Sequence, residues 1–146
     1  MSNLQNRYAV FLVDSEISFI RDSNLSTISD SDIKISGGTH NLINTTYIDE
    51  TVSGQLIRKW YYRAFANDAT GNISGANITA YNRSGNYQFN LTTGSTGFTN
   101  MTEIIDYINN GGTKTYYSPY TIYGSHPSYS TISHDRNITN LTNIYN

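Results

Sequence analysis

Tyr62-Arg63-Ala64-Phe65-Ala66-Asn67-Asp68-Ala69-Thr70-Gly71-Asn72-Ile73-Ser74-Gly75-Ala76-Asn77-Ile78-Thr79-Ala80-Tyr81 is the stretch on which the fold turns. In its first half Tyr62, Ala64 and Ala66 share one face, with Arg63, Phe65 and Asn67 on the other. In its second half Ala76, Ile78 and Ala80 can face inward while Asn77, Thr79 and Tyr81 face out. Such alternation marks half-buried antiparallel strands. Asp68 and Gly71 flank a turn between them, where an Asx side chain can bond the backbone and glycine accepts positive φ; Gly75 lets the chain bend before Ala76 enters the sheet. Downstream, Asn86-Tyr87-Gln88-Phe89-Asn90-Leu91 alternates as a third strand with Tyr87, Phe89 and Leu91 on one face, and Thr92-Thr93-Gly94-Ser95-Thr96-Gly97 supplies another turn. Upstream, Gln55 to Tyr61 leads into the first strand, with Trp60 as a packing anchor whose indole N–H needs a partner.

The order of apolar strand, Asp-x-x-Gly turn, Gly-Ala entry to a second strand and Thr-x-x-x-Gly resembles the carboxypeptidase-regulatory-like domain, an immunoglobulin-like or transthyretin-like β-sandwich. Asp68, Gly71, Gly75, Ala76, Thr93 and Gly97 carry the match, which covers residues 56 to 146. The resemblance implies a non-catalytic spacer, cap or binding module attached to something else.

Before residue 50 the texture changes. Short apolar pulses at Tyr8 to Val13, Ile17-Ser18-Phe19-Ile20, Leu25 to Ile28, Ile33-Lys34-Ile35 and Leu42-Ile43 are separated by Asp, Ser, Asn and Gly. The pulses recur about every eight residues, so three span about 24, close to one turn of a three-faced parallel β-helix. Asp32 to Asn44 resembles rungs of the right-handed parallel β-helix of large surface proteins, with Asn24, Asn41 and Asn44 in turns. One or two rungs cannot bury their own core, so further rungs or another copy of the chain are expected to pair with the N-terminal edge. The alternative is that Tyr8 to Val13 is a strand donated to a neighbouring sandwich.

Composition narrows the function classes. The 146 residues carry nine Lys and Arg, eleven Asp and Glu and a net charge of −2, with no basic stripe for nucleic acid. There is no Cys, which excludes disulfides and thiolate metal sites. Thirteen Tyr, with abundant Asn, Ser and Thr, suit strands and polar turns. No apolar run reaches the length of a signal-peptide core or a membrane span. Nine N-x-Ser/Thr sequons begin at Asn24, Asn44, Asn72, Asn77, Asn82, Asn90, Asn100, Asn137 and Asn140. They are candidate glycosylation sites if the chain is exported, and export without a leader is reconciled if this is the C-terminal part of a larger protein.

Toward the C-terminus, a helix is expected from Asn100. Thr99 or Asn100 caps it, Met101, Ile104, Ile105 and Ile108 form its apolar stripe, and Asn109-Asn110-Gly111-Gly112 stops it. Strands are expected at Thr115 to Tyr123, interrupted by Pro119, near Ser128 to Ser133 and from Asn137 to Tyr145. Trp60, Tyr117, Tyr120 and Tyr123 are candidate carbohydrate-stacking residues. His40, His126 and His134 show no metal-ligand spacing, His134-Asp135 has no nucleophile motif beside it, and the acidic clusters Asp14-Ser15-Glu16 and Asp30-Ser31-Asp32 lack the calcium-loop pattern. No catalytic residue, cofactor or metal is expected.

The sequence thus predicts an all-β chain: a short parallel β-helix-like segment over residues 1–50, then an immunoglobulin-like β-sandwich with one short helix over residues 51–146. The expected role is a non-enzymatic extracellular or cell-surface structural or adhesive module, a glycoprotein meeting surface polysaccharide. The alternatives are a carbohydrate-binding or carbohydrate-cleaving β-helix protein and a self-assembling filament subunit.

Overall fold

A chain this rich in Tyr, Thr and Ile favours extended backbone, and the computed structural model is all-β, in several sheets, over residues 8–13, 16–25, 31–138 and 143–145. The strands begin with β1 (Tyr8–Val13), β2 (Ile17–Arg21), β3 (Ser31–Ser36), β4 (Thr39–Ile43) and β5 (Glu50–Val52). There follow β6 (Gln55–Arg63), β7 (Asn67–Asp68), β8 (Gly71–Asn72), β9 (Asn77–Tyr81) and β10 (Tyr87–Thr92). The last are β11 (Thr102–Asn110), β12 (Thr113–Tyr116), β13 (Tyr120–His126), β14 (Tyr129–Arg136) and β15 (Asn143–Tyr145). Packing divides the chain into a first unit, Met1–Lys59 with Tyr107–Thr115, and a second, Trp60–Asp106 with Tyr116–Asn146.

In the first unit consecutive strands alternate between two parallel ladders. One has the order β1-β3-β5, with Val10 on Ile33, and Leu12 on Ile35 and Ile35 on Val52. The other stacks β2 on β4 and β4 on β6, with Ile17 on Thr39 on Gln55, and β11 and β12 continue it beyond β6. Asp22 and Asn44 occupy one corner of successive turns, 22 residues apart, and the Asn44 Nδ2 donates to Asp22 Oδ1 at 2.8 Å. Both have left-handed backbone, φ 51° and 47°, a conformation Asn and Asp accept more readily than most residues. Two residues on, Thr46 Oγ1 donates to Asn24 Oδ1 at 2.9 Å, again across 22 residues. The next turn is shorter, 16 residues from Thr39 to Gln55. Ile33, Ile35, Leu42, Val52, Leu56 and Tyr107 fill the core between the ladders.

Asp32 and His40 are buried, and each is satisfied locally. Asp32 Oδ2 accepts from the Ile48 N–H, while the Asp32 N–H donates to Asp49 Oδ1 at 2.8 Å. His40 bonds Ser18 through Nδ1 at 2.6 Å and the Gly37 carbonyl through Nε2 at 3.0 Å. Since a carbonyl only accepts, Nε2 carries the proton and Nδ1 accepts from the serine hydroxyl.

In the second unit the sheet β10-β9-β13-β14 forms one layer. The other layer contains β11, β6 and β15, which pairs with β6 in parallel at Tyr61, Tyr62 and Arg63. Trp60, Tyr62, Ala64 and Ile104 meet Ile78, Ala80, Tyr120 and Ile122 in the core, a β-sandwich arrangement. The Trp60 indole N–H donates to Asp106 Oδ2 at 3.3 Å, supplying the partner its burial demands. Tyr62, Ala64, Ala76, Ile78 and Ala80 are all buried, as their alternation predicts. The Asp68 turn also forms as read: Asp68 Oδ1 accepts from the N–H groups of Thr70 at 2.7 Å and Gly71 at 3.0 Å, and Gly71 has φ 140°.

Two expectations are corrected. Asn100 to Asn110 is not a helix: Thr102–Asn110 is strand β11, and no described residue is helical. Its three isoleucines are β-branched, which costs side-chain freedom in a helix and suits a strand. Gly111 and Gly112, read as a helix stop, form the two-residue turn from β11 to β12, with φ 57° and 91°. Residues 47–53 contain β5. Asp14, Ser15, Asp30 and Asn140 lie outside the described residues.

Gly54 sits against the Gly37 backbone, so close that any Cβ would collide with it. Gly54→Ala should therefore destabilise the first unit by about 1–3 kcal/mol, read as a lower urea midpoint with unchanged slope. An unchanged midpoint would show that the two turns can separate without cost.

Candidate functional site

Three places in the structure bring side chains together in a way that could serve a function. The first is an apolar groove of about 450 Å³ in the second unit. Tyr62, Ile73, Ile78 and Ile122 form its base, and alternate residues of β14, Ile132 and His134 among them, form one wall. β14 is the last strand of its sheet and is exposed along its whole length, with Ile132 58% accessible. Tyr129 donates from its hydroxyl to Asp68 Oδ2 at 2.6 Å, tying the start of β14 to the β7–β8 turn. The Thr70 side chain, then Tyr129 and the turn backbone, hold the Asp68 carboxyl down at about 2, and the same contact pushes the Tyr129 hydroxyl up. His134 and Asp135 point to opposite faces of β14: His134 lines the groove, whereas Asp135 Oδ1 accepts from Thr121 Oγ1 at 2.9 Å. They form no acid–base dyad.

The second place is the outer face of the same sheet. Its registers set Tyr87, Tyr81, Thr121 and Asp135 in one row across the four strands. The next row is Asn90, Thr79, Tyr123 and Ser133. A third begins Thr92, Asn77 and Ser125. Tyr81 stands edge-on to Tyr87 and to Tyr123, with ring centroids 6.1 and 5.8 Å away. Asn90 Nδ2 donates to Thr79 Oγ1 at 2.8 Å and Thr92 Oγ1 to Asn77 Oδ1 at 3.3 Å. A hollow of about 690 Å³ runs over this face.

The third is a buried polar cluster in the first unit, centred on Glu50. Its Oε2 accepts from Tyr47 at 2.6 Å and Tyr107 at 2.5 Å, and its Oε1 from Asn109 at 2.7 Å and the Lys114 ammonium at 3.1 Å. Arg58 lies 4.7 Å over the Tyr47 ring and Lys114 4.5 Å over the Tyr107 ring. Burial by itself would raise the Glu50 carboxyl, but bonds from Tyr107, Tyr47, Asn109 and Lys114 outweigh it and hold the group below its ordinary value. Burial, then each other's proximity and the Glu50 charge, push Tyr47 far up; Tyr107 is raised by burial and Glu50. A carboxylate so fully engaged is a poor proton acceptor. The cluster joins β5, β6, β11 and β12 rather than presenting a reactive group.

The residues singled out in the sequence fall in different places. Trp60 and Tyr120 are 2% and 0% accessible, so neither offers a ring to a sugar, which corrects their reading as stacking residues. Tyr117 is partly buried against the same core, whereas Tyr123 is exposed on the outer face. Among the sequons, Asn72 and Asn100 are exposed, as is Asn137; Asn77 and Asn90 stand on the outer sheet face. Asn24 and Asn44 are tied into the corners of the first unit. Asn82 is buried, its side-chain oxygen accepting from the N–H groups of Ser84 and Asn86. The Glu50 cluster had no signal in the sequence, since Tyr107, Asn109 and Lys114 all lie more than 50 residues downstream of the carboxylate they bond. Among the described residues no group of His, Asp or Glu gathers to hold a metal ion, and no helix is long and apolar enough to cross a membrane.

No family model, no curated protein and no solved structure matches this chain. The functional reading rests on the geometry.

The Glu50 cluster gives a pH profile with a definite sign. Glu50 is lowered on folding, so its contribution is complete above the ordinary 4.5 and is lost as pH falls through its lower folded value. Tyr47 and Tyr107 are raised, so their contribution is complete below the ordinary 10.0 and is lost as pH rises beyond it. Glu50→Gln should cost about 1–3 kcal/mol at neutral pH and flatten the acid limb of stability, measured as urea midpoint against pH. An acid limb identical to that of the unaltered chain would refute this role.

Proposed function

We propose that the chain is a non-catalytic structural module of an extracellular or cell-surface assembly. In this reading the first unit is the end of a parallel β-helix, and the second is an immunoglobulin-like sandwich of the carboxypeptidase-regulatory-like kind. Two parallel ladders visited alternately, with one corner repeating after 22 residues, are what a coiled β-solenoid requires.

One observation carries the proposal. The first turn exposes both ladder edges, since β1 and β2 are terminal in their sheets among the described residues. The same turn exposes four large apolar side chains, Phe11 at 52%, Val13 at 52%, Ile17 at 66% and Phe19 at 56%. Open strand edges are pairing templates, and apolar clusters at such an edge mark an interaction surface. The partner is a further coil of a longer chain or a second copy of this one. Exposed sequons such as Asn72 and Asn100 favour the exported setting.

The test places a photo-crosslinking phenylalanine analogue at Phe11 and at Phe19 in the native source, followed by mass spectrometry. Adducts to another coil or to a second copy are expected, and Val13→Lys with Ile17→Lys, which leave the crosslinker in place, should abolish them while the chain stays folded. Absence of any adduct from either position would overturn the proposal.

A further inference from the structure

We infer that the outer face of the β10-β9-β13-β14 sheet is a binding site for a neutral oligosaccharide. This rests on the second unit alone and stands or falls separately from the solenoid reading.

The tyrosines come first. Tyr87 and Tyr123, 59% and 41% accessible, flank Tyr81 at centroid steps of 6.1 and 5.8 Å. A pyranose has an apolar C–H face that packs on an exposed aromatic ring, and steps of this size suit successive sugars of a chain. Tyrosine also keeps a hydroxyl at its tip for the sugar's own hydroxyls.

The surroundings match the rest of such a ligand. Asn90, Thr79, Ser133 and Ser125 supply amide and hydroxyl groups, fixed in rows by the strand register. Asp135, held through one oxygen by Thr121, has a second oxygen able to accept from a vicinal diol. The hollow of about 690 Å³ lies within the range of small-ligand sites.

Charge decides against other occupants. Of the residues lining the hollow only Arg83 and Asp135 are charged, and they offset each other. A nucleic acid would need several cations along its backbone path. None of the side chains in the rows is aliphatic, so a lipid or an apolar peptide would find no matching surface. A neutral ligand studded with hydroxyls loses nothing to charge desolvation here and finds both stacking and hydrogen-bonding groups.

The experiment is affinity electrophoresis of the full chain through gels containing soluble amylopectin, galactomannan or xylan, with alginate as the acidic comparison. The protein is produced in a bacterial host that adds no N-glycans, which keeps Asn77 and Asn90 bare. Retardation by at least one neutral polymer is expected, weakened about tenfold or more in Tyr87→Ala and in Tyr123→Ala. Tyr116→Ala, on β12, should behave as the unaltered chain. Asp135→Asn, which leaves the rings in place, should weaken retardation with no change in thermal unfolding, so a loss of binding is separable from a loss of fold. Migration unaffected by every neutral polymer, retardation that survives both tyrosine substitutions, or retardation by alginate alone that added salt abolishes would each overturn the inference.

Discussion

Parallel strands cannot be joined by a tight hairpin; each must wait for the chain to travel away and return. In the first unit that return is made through a second ladder, so every turn depends on the one beside it for both its backbone partners and its core. The corner formed by Asp22 and Asn44 makes this possible: two left-handed residues bend successive turns at the same place, and the amide of one binds the carboxylate of the other. Thr46 repeats the arrangement on Asn24. With the corners aligned, Ile20 falls on Leu42 in the β2–β4 ladder, and both pack into the apolar column between the ladders. A slip of one residue would turn that column outward.

Such a stack has to be finished at both sides. Beyond β6 it is finished by antiparallel structure, where the β11–β12 hairpin brings Tyr107, Asn109 and Lys114 to Glu50 on β5. Burying the Glu50 charge would be costly with any of these missing, because the desolvation of a carboxylate is recovered only when its acceptor sites are filled. The cluster is therefore sensitive to the position of every strand that contributes to it, and it favours one arrangement of the ending over others. The first turn has no equivalent finish among the described residues. Its outward positions carry Phe11 and Phe19, where the turn stacked on it carries the half-buried Lys34 and the buried Asn41.

Local chemistry was readable from the sequence where period and turn residues agreed. Ala76, Ile78 and Ala80 alternate with polar neighbours and are buried; Asp68 and Gly71 make the turn their types require. Tyr87, grouped with Phe89 and Leu91 by strict alternation, is exposed because the ladder shifts register between Tyr87 and Phe89. Ile104, Ile105 and Ile108 satisfy a helical spacing as well as a strand's, and Gly111-Gly112 ends either element; nothing local separates the two readings. What decides is tertiary: in β11 the buried positions are Ile104, Asp106, Tyr107 and Asn109, and three of these bond to residues distant in sequence. Trp60 and Tyr120 likewise look like any aromatic residue on a strand until the layer opposite covers them.

The distribution of polar groups links fold to use. Asp32, Glu50 and Asp106 are buried or nearly so, each held by bonds to the backbone, to tyrosines or to an indole. The outer sheet face of the second unit instead carries Tyr, Thr, Ser and Asn, with Asp135 as the one charge in its rows. Charges inside act over short distances and specify one packing, whereas charges outside would be weakened by salt. A face built from rings and neutral donors recognises by shape and hydrogen bonding, which ionic strength scarcely changes. The ionisable groups of the interior, by contrast, hold the strands in register.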